Sequence, residues 1–179
     1  MEVARDLIGR DGPSVSMDEI AVAAGVAVGT LYRHHPTKAA LVEAVVRQSI
    51  DQIAIATRAA NDRVAAGASA GLVLGELFRV VARRHADDEA VKAAAASLGG
   101  SVPGFDRRGR PRFAARSAEG QAWSAIQRLL TAAIAEGTVR RDLTAVDLFV
   151  LLAGTPGPPL PDAVRDRYID VVLAGITAR

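Results

Sequence analysis

The sequence contains no cysteine and only three histidines, two of them adjacent. A disulfide framework, a thiolate nucleophile and every cysteine-containing zinc site are thereby excluded. Adjacent histidines on a helix diverge by about 100°, so His34 and His35 do not converge on one ion, and neither a metal nor a cofactor is expected. Aromatic residues make up 4% of the chain, which leaves little of the material that strands favour. Long apolar runs are missing as well. No stretch approaches the roughly 18 residues of a membrane span, and Glu2, Arg5 and Asp6 interrupt the N-terminus. The expectation is a cytoplasmic protein with no membrane partner. Lysine is scarce too: arginine supplies 20 of the 22 cations, and the formal net charge is only +2. Within residues 1–50 five cations (Arg5, Arg10, Arg33, Lys38, Arg47) stand against six anions (Glu2, Asp6, Asp11, Asp18, Glu19, Glu43). A nucleic-acid function must therefore rest on where charges are placed, not on their sum.

What the sequence does have is 179 residues, half of them apolar, which is enough for a sizeable core. The apolar residues recur at three and four, so the fold class is all-α. A first helix covers Glu2 to Arg10 and stops at Asp11-Gly12-Pro13. Two short helices follow to about residue 35. A long amphipathic helix from Lys38 to about Val64 then carries the chain across a domain boundary, which runs through a helix instead of a linker. Beyond it "LVLGELFRVVARRHA" and "DDEAVKAAAASLG" read as helices, and "GGSVPGFDRRGRPR" as an exposed loop with four arginines. A helix from Phe113 to Glu136, one from Asp142 or Thr144 to Ala153, and a last one from Asp162 to Thr177 complete the reading.

The two short helices carry the most information. Ser16 and Glu19 have the S-x-x-E spacing of a capping box, so a helix starts at Met17, with Met17, Ile20, Ala21 and Ala24 on one face. Gly25 follows, where a sharp turn needs a positive φ. In the next helix Leu31 and His35 share Val28's side, Gly29, Thr30, Arg33 and His34 lie opposite, and Pro36 ends it. Thr37 is placed to cap the long helix. Lys38 in its first turn opposes the helix dipole unless an anion, such as a phosphate, is near. Two short helices joined by a glycine turn match a helix-turn-helix. A plain helical hairpin in a bundle gives the same spacing.

The residues themselves favour the first reading. "SMDEIAVAAGVAVGTLYRHHPTKAALVEAV" closely resembles the DNA-binding region of the TetR family of transcriptional regulators, which shows G-V-[ST]-x-[GP]-T-[LI]-Y-x-[HY]-[FV]-x-[NST]-K here. The likeness covers roughly residues 4 to 46. It implies that Thr30, Tyr32 and Lys38 contact phosphates, that Val28, Gly29 and Arg33 face base edges, and that His34 lies at the DNA surface. It also implies a three-helix DNA-binding domain over 1–46 and a helical ligand-binding and dimerising domain over 47–179. The second half is only loosely similar, in "EGTVRRDLTAVDLFVLLAG" and "RYIDVVLAGI". Three positions depart from the pattern: Ala27 replaces a capping serine or threonine, Val28 a polar or basic residue, and His35 a core residue. The sequence also begins inside what would be the family's first helix, which is expected to be truncated here.

Other features are weighed on their own chemistry. "GASAG", residues 67–71, fits the nucleophile-elbow pattern around Ser69, but that elbow requires a preceding strand and a helix precedes it; no enzyme is expected. Trp123 is either a core residue or the wall of an effector pocket shared with Phe78, with His85 and Gln127 as polar anchors. Arg107, Arg108, Arg110 and Arg112 read as a solvated loop. The last helix has Val164, Tyr168, Val171 and Val172 on one side and Ile169, Leu173 and Ile176 on another, so it needs two partners. A homodimer supplies the second, with Leu148, Leu151 and Leu152 of the preceding helix joining the interface. The expected function is a repressor that binds double-stranded operator DNA and is released by a small molecule. A small-molecule-binding dimer with a decayed DNA-binding unit is the alternative.

Overall fold

The computed structural model describes residues 1–88, 93 and 112–178. Among these, eight α-helices account for the regular structure, with one 3-10 turn and a lone antiparallel bridge between Val139 and Thr177. The helices are α1 (Glu2–Asp11), α2 (Met17–Ala23), α3 (Val28–His34), α4 (Lys38–Ala65), α5 (Ala70–Asp87), α6 (Ala118–Ala135), α7 (Ala145–Ala153) and α8 (Asp162–Ile176). The all-α expectation holds. The helix expected over "DDEAVKAAAASLG" and the loop after it lie outside the described residues, apart from Asp87, Asp88, Ala93 and Arg112.

Two compact units emerge. The first takes in Met1–Ile50 and, among the described residues further on, Asp87, Asp88 and Ala93; the second takes in Asp51–Ala86 and the described residues from 112 onward. The continuous helix α4 belongs to both, so the division falls inside it. In the first unit, Ala4 and Ile8 of α1, Met17 and Ile20 of α2, and Leu41, Val42 and Val45 of α4 form one buried cluster. Each helix contributes residues spaced three and four apart, which is the spacing of a single helical face. Val15, just before α2, completes the cluster. Ala24 does not join this face: it is the C-cap of α2 and is exposed, because the chain leaves the helix there.

The second unit closes around a larger cluster that includes Val73, Leu77 and Phe78 of α5, Leu129 and Ala133 of α6, and Ile169 of α8. A polar tie binds α4 to α6. Asn61 donates from Nδ2 to the Thr57 carbonyl at 2.9 Å and to the Ala125 carbonyl at 3.0 Å, anchoring one helix on the other's backbone. On the outer side of α5, Arg79 pairs with Asp170 at 2.6 Å and Arg83 with Asp166 at 3.0 Å, both on α8. Such half-exposed pairs contribute little individually, about 0–1 kcal/mol each.

Helix α6 begins five residues later than its apolar pattern suggests. Ser117 is the reason: its Oγ accepts from the Gly120 N–H at 3.2 Å and donates to the Ala114 carbonyl at 2.9 Å, so it caps the helix and turns the preceding chain back. The chain folds so closely that a Cβ on Gly120 would strike the Ala114 and Ala115 carbonyls.

At the other end of α6, Glu136 performs a second capping role, on a different helix. Its carboxylate accepts from the backbone N–H of Ala70 at 2.8 Å and of Gly71 at 3.2 Å, and from the Ser69 hydroxyl at 3.0 Å. These are among the N–H groups that the start of any helix leaves unsatisfied. The positive end of α5 thus meets a carboxylate from a distant part of the chain. The Ala70 N–H, followed by those of Gly71 and the hydroxyls of Ser69 and Thr138, holds the Glu136 carboxyl below the usual carboxylate range. A depressed carboxylate stabilises the fold at neutral pH, and that contribution is lost as pH falls from about 4.3 through the lower folded value. Glu136→Gln should therefore lower Tm at pH 7, and the gap from the wild type should close on acidification toward pH 3. Thermal unfolding followed by circular dichroism at stepped pH measures both.

Candidate nucleic-acid interface

Helices α2 and α3 are joined by a turn that only glycine fits without strain. Gly25 has φ 67°, in the left-handed region, and its N–H returns to the Val22 carbonyl at 3.1 Å while Val26 bonds Ala21 at 3.0 Å. The start of α2 is fixed by the capping box expected from the sequence: the Glu19 N–H donates to Ser16 Oγ at 3.1 Å, and the Ser16 N–H donates to Glu19 Oε2 at 2.6 Å. That backbone donor, with the Ser16 hydroxyl behind it, lowers the Glu19 carboxyl below its ordinary value. At the far side, Thr37 Oγ1 accepts from the Ala40 N–H at 3.1 Å and caps α4.

Between these two fixed points stands α3, seven residues long with no buried residue. Leu31 is partly buried against the first unit's core and His35 is half-buried beside the helix end. Val28, Gly29, Tyr32, Arg33 and His34 are all exposed, and Thr30 is half-exposed. Open space surrounds Gly29, so the backbone there can approach a partner closely. The expected DNA-facing residues of α3 are thus each exposed or half-exposed, with Lys38 half-buried at the start of α4. Leu31, the only apolar anchor of α3, was not singled out by the sequence as a functional position, although its spacing of three from Val28 and four from His35 carried the signal. Val22 of α2 is 81% exposed and Val26 of the turn 42%, so the same end of the unit presents an apolar fringe beside the polar surface.

The cations of this unit are mostly engaged with acids. Arg5 meets Asp6 at 3.4 Å and Asp88 at 4.0 Å, Arg10 meets Asp11 at 2.8 Å, and Arg47 meets Glu43 at 3.0 Å. Lys38, at the head of α4, makes only the smallest contribution to holding the Glu19 carboxyl down, after its hydrogen bonds from Ser16.

The second unit contains a recess of about 70 Å³ walled by α5, α6 and α7. Phe78 and Trp123 line it, as the sequence suggests; His85 is half-buried elsewhere and Gln127 is exposed, so the two expected polar anchors do not join them. Leu148 and Leu152, expected at a dimer interface, line this recess, together with Phe149 and Ala145, which the sequence reading passed over. Of the remaining interface candidates, Val164 and Val171 are exposed, Leu151 and Tyr168 are half-buried, and Val172 is buried. On a 100° wheel Val172 lies about 60° from Ile169 but about 100° from Val171, so it turns with the core side. Tyr168 donates its hydroxyl to the Leu151 carbonyl at 2.6 Å, which fastens α8 to α7, and burial raises its pKa. Val150, 61% exposed on α7, is an outward apolar residue the sequence did not flag. Of the four loop arginines only Arg112 lies within the described residues, and it is exposed. Ser69 follows helix and turn and donates to Glu136, in place of the strand that a nucleophile elbow needs. No cluster of metal-binding side chains occurs among the described residues, and no described helix is long and apolar enough to cross a membrane.

Ala27 is the N-cap of α3, with the extended backbone of a capping residue (φ −64°, ψ 137°) and no side chain able to accept from the helix. Ala27→Ser should therefore stabilise the protein by about 1 kcal/mol, read from urea unfolding, by giving that helix an acceptor.

Comparison with known proteins follows this geometry closely. A family model described as "Bacterial regulatory proteins, tetR family" matches residues 1–45, and one described as "Transcriptional regulator SbtR-like, C-terminal domain" matches residues 69–178, more than half the chain. A TetR transcription regulatory protein from Mycobacterium vanbaalenii is 32% identical, with 99% of this chain and 92% of that one covered at a TM-score of 0.71. A TetR transcriptional regulator from Streptomyces coelicolor is 26% identical, covering 99% and 95%, at 0.73. A ketosteroid transcriptional regulator of Mycobacterium tuberculosis, 22% identical over 99% and 93%, shares the fold at 0.57. No curated protein matches the sequence. Exposed recognition surface, helical second unit and matched family models lead to one conclusion: the chain belongs to the TetR family of DNA-binding transcriptional regulators.

Proposed function

We propose that the protein is a cytoplasmic, homodimeric repressor that binds double-stranded operator DNA through Val28, Gly29, Thr30, Tyr32, Arg33, His34 and Lys38. In this reading residues 1–46 bind DNA and residues 47–179 bind a small-molecule effector and a second copy. It is not an enzyme and has no membrane partner.

The observation that carries the reading is α3 itself. A helix with no buried residue is retained only as a surface, and this one presents hydroxyl, phenol, guanidinium and imidazole groups together. Thr30, Tyr32 and Lys38 suit phosphate oxygens, which position the helix, while Arg33 can donate two parallel hydrogen bonds to a guanine edge. Val28 offers methyl groups to a thymine methyl. Val164, Val171 and Val150 leave exposed apolar surface on α7 and α8, the kind of surface a symmetric partner covers. Two copies would set two recognition helices about one helical turn of DNA apart, roughly 34 Å. The apolar recess of the second unit supports regulation by a small molecule, which would shift the population toward a conformation that no longer matches successive grooves.

Gel-shift titration against DNA flanking its own gene, repeated over a salt series, tests the central claim. Specific, salt-sensitive binding is expected. Lys38→Ala should weaken every site alike and reduce the slope of log affinity against log salt by about 1 per protomer, whereas Arg33→Ala should change which sequences are preferred. Folded protein that binds small molecules but no DNA sequence would overturn the repressor reading in favour of a helical ligand-binding dimer. Val171→Glu should shift sedimentation from dimer to monomer while leaving the helical circular dichroism unchanged, because its side chain lies outside the chain's own core.

A further inference from the structure

The walls of the recess point to the chemistry of the effector. Leu74, Leu77, Phe78 and Val81 come from α5, Trp123 and Ile126 from α6, and the remaining wall from α7. All ten described side chains around it are apolar. Those of α5 fall at i, i+3, i+4 and i+7, one continuous helical face, which turns the charged residues of the same helix elsewhere. Their positions confirm this: Glu76 pairs with Arg63 at 2.7 Å, Arg79 with Asp170 and Arg83 with Asp166. On α7 the nearest acid in sequence, Asp147, is locked in a capping box with Thr144, which holds its carboxyl below the usual range.

From these walls we infer that the effector presents an uncharged, apolar part to this recess. The inference rests on the reading of this recess as the effector site. A carboxylate or ammonium placed against these walls would give up water with no hydrogen bond offered in return, whereas a ring or hydrocarbon gives up nothing that it needs. Trp123, set edge-to-face on Phe113 with centroids 6.3 Å apart, supplies an aromatic wall.

Trp123 is the only tryptophan in the chain, so intrinsic fluorescence reports this wall alone. The test titrates the full chain with iodobenzene and with 4-iodobenzoate, which share a heavy-atom quencher and differ by one charge. Saturable quenching by iodobenzene is expected, with 4-iodobenzoate weaker by about 20-fold or more. Ala145→Leu, which adds bulk to the wall, should weaken iodobenzene by about tenfold. Should that variant fail to fold, Leu148→Ala is the second: by widening the recess it should favour 1-iodonaphthalene over iodobenzene by about fivefold relative to the wild type. Equal or tighter binding of 4-iodobenzoate would overturn the uncharged, apolar part while leaving the recess as the effector site. Absence of saturable quenching by either probe, or binding unaltered by the folded wall variant, would overturn both.

Discussion

A seven-residue helix with nothing buried cannot hold itself together. Helix nucleation is unfavourable, and isolated helices this short do not persist in water. Helix α3 exists because its neighbours leave it no alternative. Gly25 sets the direction in which the chain re-enters helix, Leu31 pins one face to a core built by α1, α2 and α4, and Pro36 with the Thr37 cap fixes where the chain must leave. Every outward residue of α3 is therefore held by contacts that it does not itself make. The surface is stiff because its support lies behind it, which is what recognition of a rigid groove requires.

The electrostatics of the first unit follow a similar economy. Its cations are few, and Arg5, Arg10 and Arg47 already face carboxylates. These pairs leave little broad attractive field, and what stands apart from them is Arg33, in solvent on α3, and Lys38, at the head of α4. In the second unit, by contrast, a carboxylate serves structure. Glu136, at the close of α6, satisfies the opening N–H groups of α5, so two helices far apart in sequence share one cap.

Much of this was legible in the sequence wherever a local rule applied. The capping box at Ser16, the glycine turn at Gly25 and the break at Pro36 each act within four residues, and each is found where its spacing places it. The exposed set on α3 was legible for the same reason, since helical periodicity alone separates Leu31 from Arg33. The start of α6 was not, because apolar spacing continues through Phe113 to Ser117 and only the fold-back of the Ala114 carbonyl onto Ser117 interrupts it. Nor was the composition of the recess. Gln127 and His85 are polar and near Trp123 and Phe78 in sequence, but the roll of their helices carries them off the wall, while Leu148 and Leu152 are brought onto it.

The sequence by itself determined the all-α class, the caps at Ser16 and Thr37, the turn at Gly25 ahead of α3, and the likeness to the family. All of these depend on interactions between residues within one or two helical turns. Only the tertiary structure decided that Glu136 caps α5, that Asn61 ties α4 to α6, and that Leu148 and Val172 face inward while Val150 and Val171 face out. An apolar residue on a two-sided helix has equal reason to bury against either neighbour, and the choice is made by which helix the fold places beside it.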